Sequence, residues 1–444
     1  MDRRDFLKRT GAGALALGAA ACAPKTKTVQ DEDDDCRCTD RMPLRPCGDD
    51  MVGILGYGCM RWQMIDGPDG KKIVNQDSVN ELVDYAIEHG VNYFDSAPMY
   101  LQGMSETATA RALLRHPRED YFIATKLSNF GDHSYEGSIA MYHRSLEIYQ
   151  TDHIDYYLLH SIGDFKGFKS RFLDNGVLDY LLQERDAGHI RHLGFSFHGN
   201  QKGFDELIAT HDLYHWDFVQ IQMNYVDWTH ASGRNTNASH LYEELSKRDI
   251  PMVIMEPLLG GQLANVPEAV AQRLKEREPQ RSIASWAFRY CATFPKVLTI
   301  LSGMTYMEHL QDNISSLTNF KPLNDEELEI LENVAGLIRS YPLVPCTACQ
   351  YCMPCPYGID IPGIFAHYNA NVNADTVPQG PEQKEYRRLR RRYLASYDKA
   401  IESIRQADHC ISCGKCASHC PQHIRIPEQL RRIDEYIEKL KRDA

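Results

Sequence analysis

The chain has 444 residues, of which 43% are hydrophobic and 25% charged, with a formal net charge of -12 and 14 cysteines. That length and balance exclude a wholly disordered, collagen-like or polytopic membrane chain, and they leave room for two or three domains. The acidic balance argues against a nucleic-acid partner, which calls for a basic face, and the cysteines are too sparse for a disulfide mini-scaffold.

Residues 1–22 read as an address. Arg3-Arg4 precede Asp5, Phe6, Leu7 and Lys8, and a soft apolar stretch runs from Gly11 to Ala21. That stretch is too short to span roughly 30 Å of hydrocarbon. A charged start, a short apolar middle and small residues before a break describe an export signal. The paired arginines with Phe6-Leu7-Lys8 resemble a twin-arginine signal, which suits a protein exported folded around its cofactors. Cys22 follows three alanines and resembles a lipoprotein processing site. The expected location is therefore the periplasmic side, with the membrane reached only through a lipid on Cys22. Cleavage at the alanines is the alternative. Residues 23–40, with Asp31-Glu-Asp-Asp-Asp, read as a flexible tether.

From about residue 51 the chain alternates short apolar runs with amphipathic stretches. Met51 to Met60 is a glycine-rich strand that starts a floor hairpin or completes the ring. Val79, Leu82, Val83, Ala86 and Ile87 follow helical spacing, and Gly90 stops that helix. Further strands are expected at Val91–Asp95, Phe122–Lys126, Ile154–His160, Ile190–Ser196, Phe218–Asn224, Met252–Glu256 and Val297–Ser302. Helical stretches separate them, among them Glu106–Leu114, Ile139–Ile148, Leu241–Lys247 and Ser282–Ala292. Successive βα units of this spacing predict an α/β fold, a (β/α)8 TIM barrel over residues 41–341, with one strand hidden. A doubly wound open sheet is the alternative, although no G-x-G-x-x-G opens the first unit. Asn324 and Glu327 stand in capping-box spacing at the start of a last helix.

Barrel chemistry sits where the strands end. Those ends supply Asp95, Lys126 and His160, with Tyr100 in the loop after Asp95. A phenol with pKa near ~10 is a poor acid at neutral pH unless a cation lowers it. Lys126 is the candidate cation, Asp95 its anchor, and His160 the group that orients a carbonyl. Together they make a general acid for carbonyl reduction or a base for alcohol oxidation. Taken singly, Asp95 also reads as a helix cap, Lys126 as a surface lysine, and His160 and Tyr100 as packing.

Two cysteine runs follow, Cys346, Cys349, Cys352, Cys355 before Pro356, and Cys410, Cys413, Cys416, Cys420 before Pro421. The second is C-x2-C-x2-C-x3-C-P, the spacing with which three thiolates hold one [4Fe–4S] cluster and the fourth reaches another. The first run has x2 before its last cysteine. Zinc prefers paired C-x2-C or histidine, and disulfides are the third option. Two 4Fe-4S clusters with crossed ligation fit best. Cys346, Cys349, Cys352 and Cys420 take one cluster, and Cys410, Cys413, Cys416 and Cys355 the other. The stretch between the runs is rich in helix formers, so residues 342–444 are expected to be a mostly helical ferredoxin-like domain. Its basic run Arg387–Arg392 reads as a solvated helix face, with an acidic partner surface as the sharper reading. Cys36, Cys38, Cys47, Cys59 and Cys291 belong to no motif.

The chain resembles the aldo/keto reductase family. The resemblance rests on Phe94-Asp-Ser-Ala-Pro-Met-Tyr, Gly103-Met-Ser-Glu, Ala124-Thr-Lys-Leu, Asp155-Tyr-Tyr-Leu-Leu-His, Gly194-Phe-Ser, Gln220 and Glu256-Pro-Leu. It is nearest to the branch with a ferredoxin-like tail, where Cys346-Thr-Ala-Cys-Gln-Tyr-Cys-Met-Pro-Cys-Pro also matches. The resemblance implies a nicotinamide cofactor, NAD(P)(H), with Ser196 and Gln220 at its carboxamide. Backbone amides at Gly303-Met304 suit a pyrophosphate, and Asp312-Asn313 suit adenine. Phe197 and Met255 depart from the family pattern, and no Lys or Arg lies between Leu301 and Asn313, so a preference for NADP is not supported. His309 is the nearest substitute. The implied function is an exported iron–sulfur oxidoreductase, reducing a carbonyl or oxidising an alcohol by Tyr-assisted hydride transfer. Its partners are a small-molecule substrate and a redox protein. The competing reading is a membrane-tethered electron-transfer protein with the barrel as scaffold.

Overall fold

The computed structural model describes residues 42–231, 235–318 and 320–443. The segments expected to be an export signal and a tether, with Cys22, Cys36 and Cys38, lie outside them.

Two antiparallel strands come first, β1 (Leu44–Cys47) and β2 (Asp50–Gly53). They close the end of the barrel where its strands begin. Asp50 there accepts from the Tyr156 hydroxyl at 3.1 Å and faces His192 Nε2 at 3.0 Å. Next is β3 (Leu55–Gly58), then a small hairpin, β4 (Met64–Asp66) with β5 (Lys72–Val74). The remaining strands are β6 (Tyr93–Asp95), β7 (Phe122–Leu127), β8 (Ile154–Ile162), β9 (Ile190–Phe197), β10 (Phe218–Gln222), β11 (Met252–Met255) and β12 (Val297–Ser302). The closed barrel runs β3-β6-β7-β8-β9-β10-β11-β12, parallel throughout.

So the glycine-rich start does both things expected of it. Its first part is half of the floor hairpin, and Leu55–Gly58 is the eighth barrel strand. That strand pairs Leu301 with Gly56 and Gly58 with Asp95. A Cβ at Gly56 would lie 2.9 Å from Leu301 Cδ2 and from Thr299 Oγ1, so the strand is glycine-rich because the barrel closes on it tightly.

Strands covered on both faces read as continuous apolar runs. β8 carries a buried charge at Asp155, which is satisfied by Arg118 at 2.6 Å, Arg191 at 3.2 Å and the Ile123 amide at 2.7 Å. The helix Asp325–Ser340 opens with the expected capping box. Asn324 Oδ1 accepts from the Glu327 amide, and Glu327 Oε2 from the Asn324 amide, each at 3.0 Å.

The tail has its own core. Helices Ile361–Asn373, Tyr386–Ala400 and Ile426–Arg442 pack Phe365, Tyr393, Tyr397, Leu430 and Ile433 against one another. Arg387, Arg388, Arg391 and Arg392 are exposed, as a solvated helix face requires. The cysteine loops sit on the mouth of the barrel. Arg61 Nη2 donates to the Thr347 carbonyl at 2.6 Å, Gln262 Nε2 to the Cys346 carbonyl at 3.1 Å, and Gln422 Nε2 to Gln222 Oε1 at 3.0 Å. Gly260 is needed at this contact, because a Cβ there would lie 2.2 Å from Thr347 Cα. Among the described residues no helix is long and apolar enough to cross a membrane.

Candidate active site

The four residues at the ends of β6, β7 and β8 and in the loop after β6 converge. Lys126 Nζ donates to Asp95 Oδ1 at 2.5 Å and to the Ser96 carbonyl at 2.8 Å. Both charged groups are buried, 1% and 3% exposed, which makes the pair depend on itself for solvation. Burial pushes the Asp95 carboxyl up and the Lys126 ammonium down, and their mutual contact opposes both shifts. The ammonium lies 4.9 Å from the centre of the Tyr100 ring. The Tyr100 and His160 rings meet edge to face at 5.6 Å. His160 Nδ1 lies 2.6 Å from Ser128 Oγ, which fixes the ring and leaves Nε2 for another partner.

One expectation is corrected here. The nearby Lys126 does not bring the Tyr100 phenol below its ordinary value. Burial holds that phenol well above its ordinary value, and Tyr351 and Asp95 add to the effect. The Lys126 charge is spent on Asp95. His160 is held well below its ordinary value by burial and then by Lys126 and Arg171, so its imidazole is neutral.

A cavity of about 610 Å³ opens beside Asp95 and Tyr100. Of the four expected cofactor residues, Gln220, Gly303 and Asn313 line it. Gln220 Nε2 points to Asp95 Oδ2 at 3.4 Å, while its Oε1 is buried with no partner. Asn313 Nδ2 donates to Ser302 Oγ at 3.0 Å. Ser196 is instead buried against β8, where its hydroxyl accepts from the Ser161 amide at 2.7 Å. Glu308, His309 and Asp312 line the same end of the cavity as Asn313. The Asp312 carboxylate accepts from the Ser282 hydroxyl at 2.6 Å.

Several lining residues escaped the sequence reading, among them Arg61, His198 and Tyr351. Arg61 reaches the cavity from the turn after β3, and a Cβ at Gly303 would lie 2.6 Å from its Cδ. His198 follows β9, with burial lowering its imidazole to about 4. Tyr351 comes from the tail. Its hydroxyl lies 3.3 Å from His160 Nε2, and it interacts with Tyr100. Cys349 and Pro421 line the cavity beside it.

The cysteines fall into two groups. Cys346, Cys349, Cys352 and Cys420 surround one small cavity with Ile361, Phe365 and Ile424. Cys416 stands with Cys410, Cys413 and Cys355, and burial pushes its thiol up to about 11. Four thiols in a largely apolar wall are the donor set that a cubane cluster takes.

A model of the aldo/keto reductase family matches residues 55–335, and a model of a 4Fe-4S dicluster domain matches residues 345–424. L-galactose dehydrogenase of Arabidopsis thaliana is 22% identical over 318 residues, which span 65% of this chain and 91% of that protein. The 9,11-endoperoxide prostaglandin H2 reductase of Trypanosoma cruzi is 32% identical over 293 residues, spanning 63% and 87%. A crystal structure of an aldo/keto reductase from Klebsiella pneumoniae, in complex with NADP and acetate, superposes with a TM-score of 0.53 at 20% identity. It covers 66% of this chain and 95% of that one.

Proposed function

The chain belongs to the aldo/keto reductase family and carries a 4Fe-4S dicluster domain, and on that premise we propose that it is an exported oxidoreductase that interconverts a small hydroxylated carbonyl and its alcohol. The observation that carries this is the convergence of Tyr100, His160, Lys126 and Asp95 beside a cavity in which Gln220 Oε1 is left without a partner. A nicotinamide dinucleotide, when bound, would supply the hydride. Gln220 offers its orphan acceptor to the carboxamide. Gly303 and the adjacent Arg61 suit the pyrophosphate, and Asn313 the adenine end. Glu308 and Asp312 at that end, with no Lys or Arg between Leu301 and Asn313, favour a ribose hydroxyl over a 2′-phosphate, hence NADH over NADPH. Tyr100 passes its proton to the carbonyl oxygen, and neutral His160 orients that oxygen through its N–H. The sugar named for the Arabidopsis relative and the polar wall of His198, Glu256 and Gln220 support a sugar-like substrate.

The decisive experiment adds NADH deuterated at C4 to anaerobically purified protein with candidate sugar carbonyls. Deuterium on the product carbon is expected. Its absence from a protein that retains iron would replace this reading with the electron-transfer scaffold.

We also propose two clusters with crossed ligation, Cys346, Cys349, Cys352 and Cys420 in one, Cys355, Cys410, Cys413 and Cys416 in the other. Cys349 lines the barrel cavity, so the first cluster borders the reaction site, and an external redox protein is the partner. Cys413→Ala is expected to lower iron and acid-labile sulfide to roughly half. Unchanged iron would contradict the assignment. For the address, mass spectrometry of the membrane fraction is expected to find the mature chain starting at a lipidated Cys22. A soluble chain that still begins at Met1 would count against it.

A further inference from the structure

Tyr351 stands between two of the proposed ligands, Cys349 and Cys352, yet its side chain belongs to the barrel site. Its hydroxyl is 3.3 Å from His160 Nε2 and close enough to Tyr100 to raise the pKa of that phenol. Those are the two groups that grip a carbonyl oxygen in the reading given above. An oxygen of the protein itself therefore lies where an oxygen of the substrate has to lie.

The loop that brings it there is firmly seated. The Thr347 carbonyl is held by Arg61, the Cys346 carbonyl by Gln262, and Thr347 packs directly on Gly260. Ala348 and Gln350 both take positive φ, 52° and 65°, so the backbone is bent on either side of Cys349. Tyr351 also does something for the free protein. It keeps the buried His160 Nε2 paired while no substrate is present.

We propose that Tyr351 holds the oxygen seat between Tyr100 and His160 in the free protein, and that a substrate binds by displacing its hydroxyl. This rests on Tyr100 and His160 being the oxygen-gripping pair. The tail then sets specificity in the barrel. A compound whose oxygen makes both hydrogen bonds displaces Tyr351, and a weak acceptor such as an apolar ketone does not.

Tyr351→Phe tests this, because it keeps the ring and both flanking cysteines and removes only the competing oxygen. Acetate, a small oxyanion, is the binding probe, measured by calorimetry on the anaerobically purified holoprotein. In the variant it is expected to bind about three- to tenfold more tightly, the worth of one net hydrogen bond. KM for the carbonyl substrate is expected to fall by a similar factor, with kcat changed less than about twofold. Acetate affinity that is unchanged or weaker, with KM unchanged or raised, would overturn the proposal. Iron content and melting temperature of the variant confirm that the tail is intact. Tyr351→Leu, which also lacks the oxygen, gives the same comparison if the phenylalanine variant loses iron. Tyr100→Phe measured in parallel separates the two ideas. If it still turns over, the oxygen-gripping pair is wrong. If it is dead while Tyr351→Phe leaves acetate binding and KM unmoved, only the displacement is wrong.

Discussion

Replacing Lys126 by methionine is expected to lower the unfolding free energy of the barrel by about 3–5 kcal/mol. The Lys126 ammonium and the Asp95 carboxylate are almost wholly removed from water and lie 2.5 Å apart. Methionine fills the space but leaves the carboxyl with Gln220 Nε2 at 3.4 Å as a weak donor. Burial already raises the Asp95 pKa, and the loss of Lys126 raises it further. A carboxyl whose folded value lies above its unfolded one binds extra protons when folded. Its contribution is therefore fully present below the unfolded value, near ~3.9, and is lost as pH rises through the folded value. The defect of the variant should thus be small near pH 4 and full at pH 8. Adding Asp95→Asn should recover most of it, because the buried charge is then gone. The four tryptophans, Trp62, Trp216, Trp228 and Trp286, all lie in the barrel core, so their emission during urea unfolding reads the barrel and not the tail. A loss below about 1 kcal/mol, or one equal at both pH values, would contradict the buried-pair account.

What could be read in the sequence follows from where each signal resides. Asp95, Lys126 and His160 were legible because each closes an apolar run, and a charged or titratable group at a strand end is unusual. The eighth strand was obscure because Gly56 and Gly58 replace the apolar residues that mark a strand, and only the closeness of Leu301 and Thr299 explains why. Ser196 lies at a strand end too, yet its hydroxyl turns to the Ser161 amide, and a residue pattern carries no sign of that choice. Arg61 belongs to a turn far from the 301–313 segment in which a phosphate-binding cation was sought, and only barrel closure brings it to Gly303. Tyr351 was hidden in plain sight. Within C-x2-C it reads as a spacer, and its role appears only when the tail docks on Gly260. The acidifying role expected of Lys126 fails for a similar reason. Type and spacing predict that a cation is near a phenol, but not that burial outweighs it or that a carboxylate has already taken its charge.

Tyr100→Phe is expected to lower kcat/KM for carbonyl reduction by about 10²–10⁴, the range removed with a positioned general acid. The variant keeps the ring that packs against His160 and Lys126, so the loss falls on proton delivery and not on the fold. The raised phenol pKa also fixes how the reaction responds to pH. A general acid must be protonated, and a phenol held above its ordinary value near ~10 stays protonated through the neutral range. Reduction by the wild type should therefore be flat from about pH 6 to 9 and fall only above about pH 10. Alcohol oxidation needs the phenolate, so its kcat/KM should climb with pH across the same range, about tenfold per unit. At neutral pH carbonyl reduction is therefore expected to be the faster direction. Measuring kcat/KM in both directions from about pH 6 to 10 checks this. A reduction limb with its midpoint below about pH 8, or a Tyr100→Phe variant with more than about a tenth of the activity, would mean that another group delivers the proton. His160 is poorly suited to that role. Its imidazole is held neutral and its Nδ1 is engaged with Ser128, so it can orient an oxygen through an N–H but carries no spare proton to give.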